Sequence, residues 1–420
     1  MERKNRMIRP LGPDDVEEYL TIYLMSYPAF KDIGDEGRAY KRGLVLDSMA
    51  NDKDIHFMGL FEDDTLIAAM KLIDFNMNIF GEMQKATGLM ALGVHPLHKR
   101  KGAALDMVRY FEKYTSESGA VIALLLPFRM DFYRKMGYGF ESRLYEYRIS
   151  TDKLPEYRDM SALRFLNKAD FGDVLACHHD YVKKNHGMLD KFSDEINDMR
   201  DDSASRRVGY FRDGRLTSYI AYRYVCQSEV NYTLNRIEVD ELIYDCPEEL
   251  RALLGFLHLQ SDQDQEVVLR TGEEDFFHIF DDPEDTSGYY VPFGCLETNV
   301  STINVMHKIL EPERFVKAAA YRVFPDIDLK VCFETFDEMK ESRRRLLLVF
   351  NGGSWSVGEG DSPDVTIRCR ASDMASVFMG SAEVAALARL GVVEISDPSY
   401  TDRLDALFHV AQRPFSNTDF

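Results

Sequence analysis

The chain has 420 residues, more than one hydrophobic core usually serves, so two or three domains are expected. Its hydrophobic fraction of 45% and charged fraction of 29% are those of an ordinary globular protein. The formal net charge of −20 argues against nucleic acid or an anionic membrane as the main partner, whereas it is compatible with a cationic substrate.

Cysteine spacing and the N-terminal segment indicate the cellular compartment. Six cysteines are scattered without a C-x-x-C pair, which predicts reduced, mostly buried thiols in a cytoplasmic protein. We expect no signal peptide and no membrane span, because no apolar run reaches about 18 residues. The sequence Cys-His-His-Asp at 177–180 predicts no metal site, since neighbouring side chains point apart on a helix or a strand.

The chain begins with a predicted helix and a β-hairpin. Residues 14–25 suit a helix, because Pro13 and Asp14 fit its start and apolar side chains recur on one face. The stretches 55–62 and 65–75 alternate apolar and polar residues around a two-aspartate turn, which predicts two paired strands.

A predicted strand at 87–94 then runs into a basic loop and a helix at 103–118. Backbone N–H groups at a helix start attract phosphate, and the loop residues Lys99–Lys101 add positive charge. Gly102 lets the backbone approach an anion, because glycine has no Cβ. The pattern predicts a binding loop for pyrophosphate.

Two other phosphate-binding loops are absent from this place. A P-loop needs G-x-x-x-x-G-K-[ST] and a dinucleotide loop needs G-x-G-x-x-G. The sequence instead resembles the Arg/Gln-x-x-Gly-x-Gly/Ala pattern of GNAT acetyltransferases, with Lys99 in the first place. The motif Phe-Tyr-Arg-Lys-Met-Gly-Tyr-Gly follows at 132–139, at the spacing that this superfamily uses.

Further elements complete an acetyltransferase order, and a second copy follows. A strand at 121–126, a short helix near 131–136 and a strand at about 138–149 are predicted. Gly59-x-Phe-x-Asp-x-x-Leu66 recurs as Gly209-x-Phe-x-Asp-x-x-Leu216, exactly the same spacing 150 positions later. We interpret this repeat as a domain duplication.

The second copy lacks the basic loop. The sequence Asp-Cys-Pro-Glu-Glu at 245–249 stands where the first copy has Lys-Arg-Lys-Gly. Carboxylates there suit a helix start but repel a pyrophosphate, so we expect no CoA in this copy.

The rest of the chain predicts a loop and a separate tail domain. The acidic segment 273–285 is either a cation-binding edge or, as we favour, a solvated loop interrupted by core aromatics. Composition changes near residue 300, before a predicted helix at 306–318. A Gly-Gly turn follows Asn351, and helices are predicted near 371–379, 381–389 and 400–407.

Over its full length the chain resembles the enhanced intracellular survival (Eis) family of bacterial acetyltransferases. The segments 94–102 and 132–139 and the terminal Phe420 carry this resemblance. It implies an α+β fold of tandem GNAT domains, with mixed central sheets flanked by helices, and a C-terminal α/β sterol-carrier-like domain. The implied bounds are 1–150 for the catalytic domain, 151–298 for a domain without CoA, and 299–420 for the tail. The family also forms hexamers, so a homo-oligomer is expected.

The resemblance also implies an acetyl-CoA site, at which the backbone of Leu92, Gly93 and Val94 holds the acetyl group and pantetheine. Phe128 and Arg129 would close on the cofactor, although the family usually has smaller residues there. Lysines stand in the loop where the family favours arginines, which keeps the charge but loses bidentate hydrogen bonds. The pyrophosphate end would contact Arg100, Lys101, Gly102, Ala103, Ala104 and Leu105.

The implied chemistry is acetyl transfer to an amine. Tyr133 would donate a proton to the departing CoA sulfur, since a phenol with pKa ~10 is protonated at neutral pH. No His, Asp or Glu near the motifs is an obvious base, and the resemblance assigns that role to the α-carboxylate of Phe420. Asp419 beside it would bind a cationic group of the substrate.

The expected substrates are polycationic amines such as aminoglycosides, acetylated at one or several positions, or lysine side chains of peptides. A lipid- or ligand-binding protein that acts through its tail domain, with vestigial acetyltransferase domains, is a second hypothesis. An assembly scaffold is a third. The intact basic loop and Tyr133 favour the enzyme.

Overall fold

The computed structural model describes residues 5–28, 34–291, 294–339, 341–360 and 362–420. These residues form two sheets of seven strands, one of five strands, and a separate two-stranded hairpin. Helices flank the sheets, so the expected α+β fold is confirmed.

The elements follow the chain in three stretches. The first contains β1 (Arg6–Pro10), α1 (Val16–Ser26), α2 (Asp35–Asn51), β2 (Ile55–Glu62), β3 (Thr65–Ile79), β4 (Glu82–Val94), α3 (Ala103–Ser118), β5 (Ile122–Leu125), α4 (Met130–Lys135) and β6 (Gly139–Phe140). The second contains β7 (Arg143–Ser150), β8 (Leu163–Leu166), α5 (Phe171–Lys184), α6 (Ser193–Asp201), β9 (Arg206–Arg212), β10 (Arg215–Cys226), β11 (Asn235–Ile243), α7 (Pro247–His258), β12 (Asp264–Thr271), β13 (Tyr290–Val291), β14 (Cys295–Leu296) and β15 (Val300–Ile303). The third contains β16 (Met306–Lys308), α8 (Pro312–Ala318), β17 (Leu329–Asp337), β18 (Ser342–Asn351), β19 (Ser354–Val357), β20 (Val365–Arg370), α9 (Ala371–Phe378), α10 (Val384–Arg389), β21 (Glu394–Ile395) and α11 (Thr401–Phe408).

The first two sheets share one plan. The first has the order β1-β2-β3-β4-β5-β16-β6 and the second has the order β15-β7-β12-β11-β10-β9-β8. In each sheet one neighbouring pair is parallel, β4 with β5 and β11 with β12. The third sheet, in the order β19-β18-β17-β20-β21, belongs to the tail.

Two segments cross between the first two sheets. The sequence predicts one strand at 138–149, but the structure divides it into β6 in the first sheet and β7 in the second. The segment at 300–308 divides in the same way, with β15 in the second sheet and β16 in the first. The two segments pair with each other, because β7 pairs with β15 and β6 with β16. The sheets therefore interleave across the domain bounds predicted at 150 and 298, which stay predictions.

The duplication has a matching physical basis in both copies. A Cβ at Gly59 would lie 2.6 Å from a methyl of Leu66, and one at Gly209 would lie 2.4 Å from a methyl of Leu216. Each glycine thus makes room for the leucine at the corresponding position of its adjacent strand.

A second correspondence joins the first strand of each copy to the helix that follows. Arg9 pairs with Asp15 and Arg164 pairs with Asp170. Each guanidinium also lies over a phenylalanine ring of the neighbouring strand. The repeat therefore extends beyond the matched sequence motif.

Several local predictions are corrected. The sequence predicts a helix at 306–318, but β16 and a loop precede α8, because residues 306–308 pair between β5 and β6. Helix α2 was not predicted; its mean hydropathy is low and only Ser48 of its residues is buried. Of the six cysteines only Cys177 and Cys332 are buried, so the expectation of mostly buried thiols is wrong. In the described part of the chain no helix combines the length and apolar character of a membrane span.

Candidate active site

The site begins where two parallel strands of the first sheet part. Strand β4 pairs with β5 from Ala86 to Leu89, and the recorded pairing goes no further. Beyond it, the register of β4 against β3 shifts between Met90 and Gly93. Ala91 there has φ 54°, a left-handed conformation that alanine adopts at a cost. This bulge turns the backbone of residues 92–94 away from β5 and opens the sheet between the two strands.

The close packing of α1 against the bulge fixes its position. A Cβ at Gly93 would lie 2.7 Å from Ser26 Oγ and 3.0 Å from a methyl of Ile22. Any larger side chain at this position would push α1 away. Gly93 thus lets the helix press on the backbone that the sequence predicts to hold the acetyl group.

The basic loop leads into α3, which begins and ends as the sequence predicts. Gly102 precedes the helix at φ 87°, and Arg100 also has a positive φ of 61°. Loops with such backbone turns, followed by the free N–H groups of a helix start, form concave sites for anions. The loop residues Lys99–Lys101 are exposed, whereas Ala103 is buried against the sheet.

Arg6 of β1 forms a hydrogen bond with the backbone of this loop. Its Nη2 donates to the carbonyl oxygen of Lys101 at 3.0 Å. Its other nitrogens donate to Asp106 Oδ2 at 2.7 Å and to Glu62 Oε2 at 3.0 Å. Of the loop cations, Lys101 donates from Nζ to the carbonyl oxygen of Leu97 at 3.1 Å. The donor set, the glycine conformation and the charge all fit a pyrophosphate group.

Tyr133 of α4 is buried in a mostly apolar environment. Its side chain is 7% exposed, and its ring packs edge-on against Tyr138 and Phe132 at 5.9 Å and 5.2 Å between centroids. Burial raises the pKa of the Tyr133 hydroxyl well above its usual value, and the neighbouring Tyr27 adds to the shift. The hydroxyl is therefore a proton donor over the whole physiological pH range.

Tyr27 is a site residue that sequence reasoning missed. Its hydroxyl donates to the carbonyl oxygen of Leu92 at 3.3 Å, at the bulge itself. Burial raises its pKa to about 12. Tyr19, Tyr23 and Tyr27 form an aromatic row along α1, with centroids 6.0 Å and 5.3 Å apart. Their four-residue spacing was a usable signal, because such side chains share one helix face.

The last residues of the chain return to the first sheet. Phe420 is 7% exposed and its ring packs edge-on against Phe75 of β3 at 4.9 Å. A Cβ at Gly88 of β4 would lie 2.9 Å from a ring carbon of Phe420. Gly88 is one residue before the last pair of β4 with β5, so the ring lies beside the opening of the sheet.

The tail reaches this place along a path held by several contacts. Phe415 fills the space above Gly272, where a Cβ would lie 2.4 Å from its side chain. Asn304 Nδ2 donates to the carbonyl oxygen of Ser416 at 2.7 Å, and Asn417 Nδ2 donates to Glu241 Oε1 at 3.0 Å. The tail is therefore anchored to the second domain before it meets the first.

Carboxylates gather on the same side as Phe420. Asp419 is exposed, and Glu195 of α6 lies nearby. Burial, with smaller contributions from Glu241 and Asp419, raises the pKa of Glu195 to about 7, although Lys191 opposes the shift. Lys191 Nζ lies 2.6 Å from Glu195 Oε1 and 2.8 Å from Glu241 Oε1, so this buried cation is shared by two carboxylates.

More carboxylates continue this surface toward α2. Burial raises the pKa of Asp52 and of Asp198, and the charge of Asp194 adds to both shifts. One oxygen of Asp52 is buried without a hydrogen-bond partner in the described residues. Carboxylates that hinder one another's ionisation gain from a nearby cation, and Lys71 Nζ, 2.5 Å from Asp194 Oδ2, already supplies one. We call Asp52, Asp194, Glu195, Asp198 and Asp419 the acidic cluster.

Phe128 and Arg129 are less firmly held than the other predicted residues. Phe128 is 82% exposed. Arg129 forms an ion pair with Asp131 at 2.5 Å on the surface. The structure thus puts both after β5, beside α4, with no buried contact that would fix them against a ligand.

In the second copy a buried carboxylate lies near the start of α7, the helix that corresponds to α3. Glu249 of α7 is fully buried, and its Oε2 accepts from the backbone N–H of Asp245 at 3.1 Å and from the Ser218 hydroxyl. Arg212 lies 2.9 Å from Oε1 of the same carboxylate. Glu249 therefore binds the backbone just before α7, and the absence of CoA from this copy stays a prediction.

Comparison with known domain families finds three matches along the chain. Residues 7–140 match an acetyltransferase (GNAT) domain, residues 185–297 match a second such domain, and residues 312–417 match a sterol carrier protein domain. The chain is a tandem GNAT acetyltransferase. Such domains use acetyl-CoA, so this tandem GNAT acetyltransferase is an acyltransferase enzyme. No curated protein matches the sequence.

Solved structures share the fold of the tandem GNAT acetyltransferase over its full length. A GCN5-related N-acetyltransferase from Anabaena variabilis has a TM-score of 0.79 at 14% identity, covering 99% of this chain and 100% of that one. Eis1 from Mycobacterium abscessus has a TM-score of 0.77 at 20% identity, with the same coverage of 99% and 100%. A probable N-acyltransferase of unknown function from Enterococcus faecalis has 0.78 at 15% identity and covers 100% of both chains.

Proposed function

We propose that the protein transfers an acetyl group from acetyl-CoA to an amine of a polycationic small molecule, with aminoglycosides as the substrate class. The observation that carries this proposal is the position of Phe420, buried against Gly88 beside the opening of the first sheet and next to the acidic cluster. The likeness to Eis1 and the sequence resemblance to its family point the same way.

The acceptor would lie on the side of the acidic cluster. A substrate with several ammonium groups offers a cation to each of several carboxylates, and such charge complementarity speeds its capture. The tyrosine row of α1 supports the same assignment, since Asp194 adds to the raised pKa of Tyr23 and aromatic faces attract cations.

We propose that the α-carboxylate of Phe420 accepts the proton of the attacking amine. An α-carboxyl has a pKa of ~3.5 in water, which makes it a weak base. Phe420 is buried, and an apolar environment would disfavour the charged form of the carboxylate and so strengthen it as a base. The amine would reach the thioester through the opening of the sheet.

On the cofactor side, acetyl-CoA supplies the activated acetyl group. We assign the backbone N–H groups of residues 92–94 to the carbonyl oxygen, where one such donor typically contributes on the order of 10²–10³ in rate. Tyr133 then holds the proton for the CoA sulfur. Residues 100–105 would bind the pyrophosphate, and Phe128 and Arg129 would cover the cofactor.

The alternative of a lipid carrier with vestigial acetyltransferase domains has less support. The interior of the tail domain is packed with aromatic rings, among them Phe333, Trp355 and Phe378. A lipid would have to displace them. By contrast, the anion-binding loop of the first domain is intact.

The deciding experiment is thiol release from acetyl-CoA with a panel of amines. The panel contains aminoglycosides, a linear polyamine and lysine peptides, with a neutral sugar as control. We expect turnover with aminoglycosides and mass increments of acetyl groups on the product. Turnover with lysine peptides alone would mean that peptides, and not aminoglycosides, are the substrate class. Absence of thiol release with every amine would contradict the proposed acetyl transfer.

A further inference from the structure

A cavity of about 450 Å³, whose lining includes none of the residues assigned above to the active site, lies between the second sheet and the tail domain. Residues 141–145 and 272–275 form one wall, and residues 380–383 and 408–414 form the other. Small-molecule sites in proteins have volumes of about 300–1,000 Å³. We call this space the interdomain cavity.

Glu141 is the unusual residue of this wall. It is 4% exposed, and its Oε1 is buried without a hydrogen-bond partner in the described residues. Its backbone N–H donates to the carbonyl oxygen of Val305 at 3.1 Å, which holds it at the crossing of the two sheets. A buried carboxyl group without a partner costs free energy. A ligand ammonium that contacts the carboxyl group from the cavity would stabilise its charged form.

A second carboxylate faces the same space. Glu273 is held by Gln412, whose Nε2 donates to Glu273 Oε1 at 3.0 Å, and burial raises the pKa of Glu273. The nearby Arg413 lies 3.3 Å from Glu274 and 3.9 Å from Glu383, so it forms ion pairs with those two carboxylates. Five carboxyl groups line the cavity against two arginines, which makes its potential negative.

The remaining lining includes apolar surfaces. Tyr145 is 7% exposed, and the half-buried Val410 and the buried Pro414 add aliphatic groups. In the described residues no three His, Cys, Asp or Glu side chains are grouped so as to hold a metal ion. The lining therefore suits an organic cation with an apolar body.

We propose that the interdomain cavity binds a small organic amine, whose ammonium group contacts Glu141 and Glu273 and whose apolar body packs on Tyr145 and Val410. This site is separate from the acetyl-transfer site and does not depend on the proposed substrate. It also gives a role to the acidic segment at 273–275, which the active site does not use.

The test is isothermal titration of the full chain with 2-phenylethylamine at pH 7, without acetyl-CoA. 2-Phenylethanol and 3-phenylpropionate have a similar body without the positive charge and serve as ligand controls. We expect saturable binding of the amine to one site and at least tenfold weaker binding of both controls. Absence of saturable amine binding, or equal binding of 2-phenylethanol, would overturn the proposal.

Variants locate the bound amine. Glu141→Gln and Glu273→Gln should each weaken binding at least tenfold, because each removes the negative charge that the carboxyl group would carry opposite the bound ammonium and keeps the shape of the side chain. Asp419→Asn is the matched variant at the active site and should leave binding unchanged. Weakening by Asp419→Asn alone would assign the amine to the acetyl-transfer site instead and overturn the proposal. Circular dichroism checks that each variant is folded.

Proton release provides a readout that a merely structural role would not give. Burial raises the pKa of Glu141 to about 8, so the empty cavity holds a protonated carboxyl at pH 7. Binding of an ammonium ion should expel that proton, and titrations in two buffers of different ionisation heat should report close to one proton released. The release should disappear in Glu141→Gln; an unchanged release there would contradict the assignment. The other ionisable groups that face the cavity are Arg143, Tyr145, Glu273, Glu274, Asp275, Glu383, His409 and Arg413.

Discussion

Phe420 and Tyr133 lie on opposite faces of the first sheet, in two separate buried clusters to which β4 contributes residues. The Cα of Gly88 faces the ring of Phe420, whereas Leu89 shares a buried cluster with Tyr133. Successive residues of a strand point to opposite faces, so the two side chains are separated by the thickness of the sheet. The parting of β4 from β5 after Leu89 is the place where groups from both faces can meet at one acyl carbon.

This arrangement would separate the proposed proton acceptor from the proposed proton donor. In the proposed mechanism, an amine that arrives from the Phe420 face would lose its proton on that face, and the leaving sulfur would receive one from Tyr133 on the other. The two roles can therefore be tested independently, by variants on either side of the sheet.

Tyr133→Phe should lower kcat roughly 10²–10⁴-fold, because the proton for the CoA sulfur is lost. The ring and its packing against Tyr138 are kept, so the affinity for acetyl-CoA should change little. Steady-state kinetics and acetyl-CoA titration measure the two quantities.

The matched control is Tyr138→Phe in the same motif. The Tyr138 hydroxyl is buried without a hydrogen-bond partner in the described residues, so its removal should not lower kcat. Wild-type rates in Tyr133→Phe, or equal losses in both variants, would reduce Tyr133 to a packing residue.

Extension of the chain by Gly-Ser after Phe420 should abolish most of the acetyl transfer. The ring of Phe420 can stay against Gly88, but its carboxyl carbon becomes part of a peptide bond and can no longer accept a proton. We expect kcat to fall at least about 10²-fold with acetyl-CoA binding preserved.

Phe420→Leu is the complementary variant, since it keeps the carboxylate and changes only the ring. It should retain much more activity than the extended chain, at some loss of stability from the buried ring. Full activity in the extended chain would exclude the carboxylate from the reaction.

Much of the first domain could be predicted, because its signals are local. Helix α3 has an apolar face and a glycine at each end, and its bounds coincide with the prediction. The hairpin of β2 and β3 and the turn between β18 and β19 also follow from short patterns that need no partner elsewhere.

What could not be predicted depends on distant pairing. The residues at 138–149 have a continuous strand pattern, and nothing in that pattern tells that β6 and β7 join different sheets. Tyr27 becomes a site residue only because α1 packs on the bulge of β4. In the sequence, Glu141 is an ordinary polar residue just after the motif at 132–139. Its burial arises from the segment at 304–308, which lies at the crossing of the first two sheets.

Gly102→Ala should raise the KM for acetyl-CoA several-fold, with a smaller effect on kcat. Gly102 has φ 87°, where an alanine costs about 1 kcal/mol, so the loop would relax away from its anion-binding shape. Gly119→Ala is the control at the other end of α3, where φ is 89°. It should destabilise the protein by a similar amount and leave the KM unchanged. An equal rise in KM for both variants would mean that the effect is one of helix stability alone.

Glu141→Gln should stabilise the protein at alkaline pH. Burial raises the pKa of Glu141 from 4.5 to about 8, so the folded protein holds a proton that the unfolded chain releases above pH 4.5. The contribution of this carboxyl to stability is therefore fully present below pH 4.5 and is lost as pH rises through 8, by about 1.4 kcal/mol per pH unit in between. Glutamine is neutral at every pH and removes this loss. The free energy of unfolding, measured with urea at pH 5 and pH 8, should increase in the variant relative to the wild type by a few kcal/mol between the two pH values. An identical pH dependence of both proteins would contradict a protonated Glu141 in the folded state.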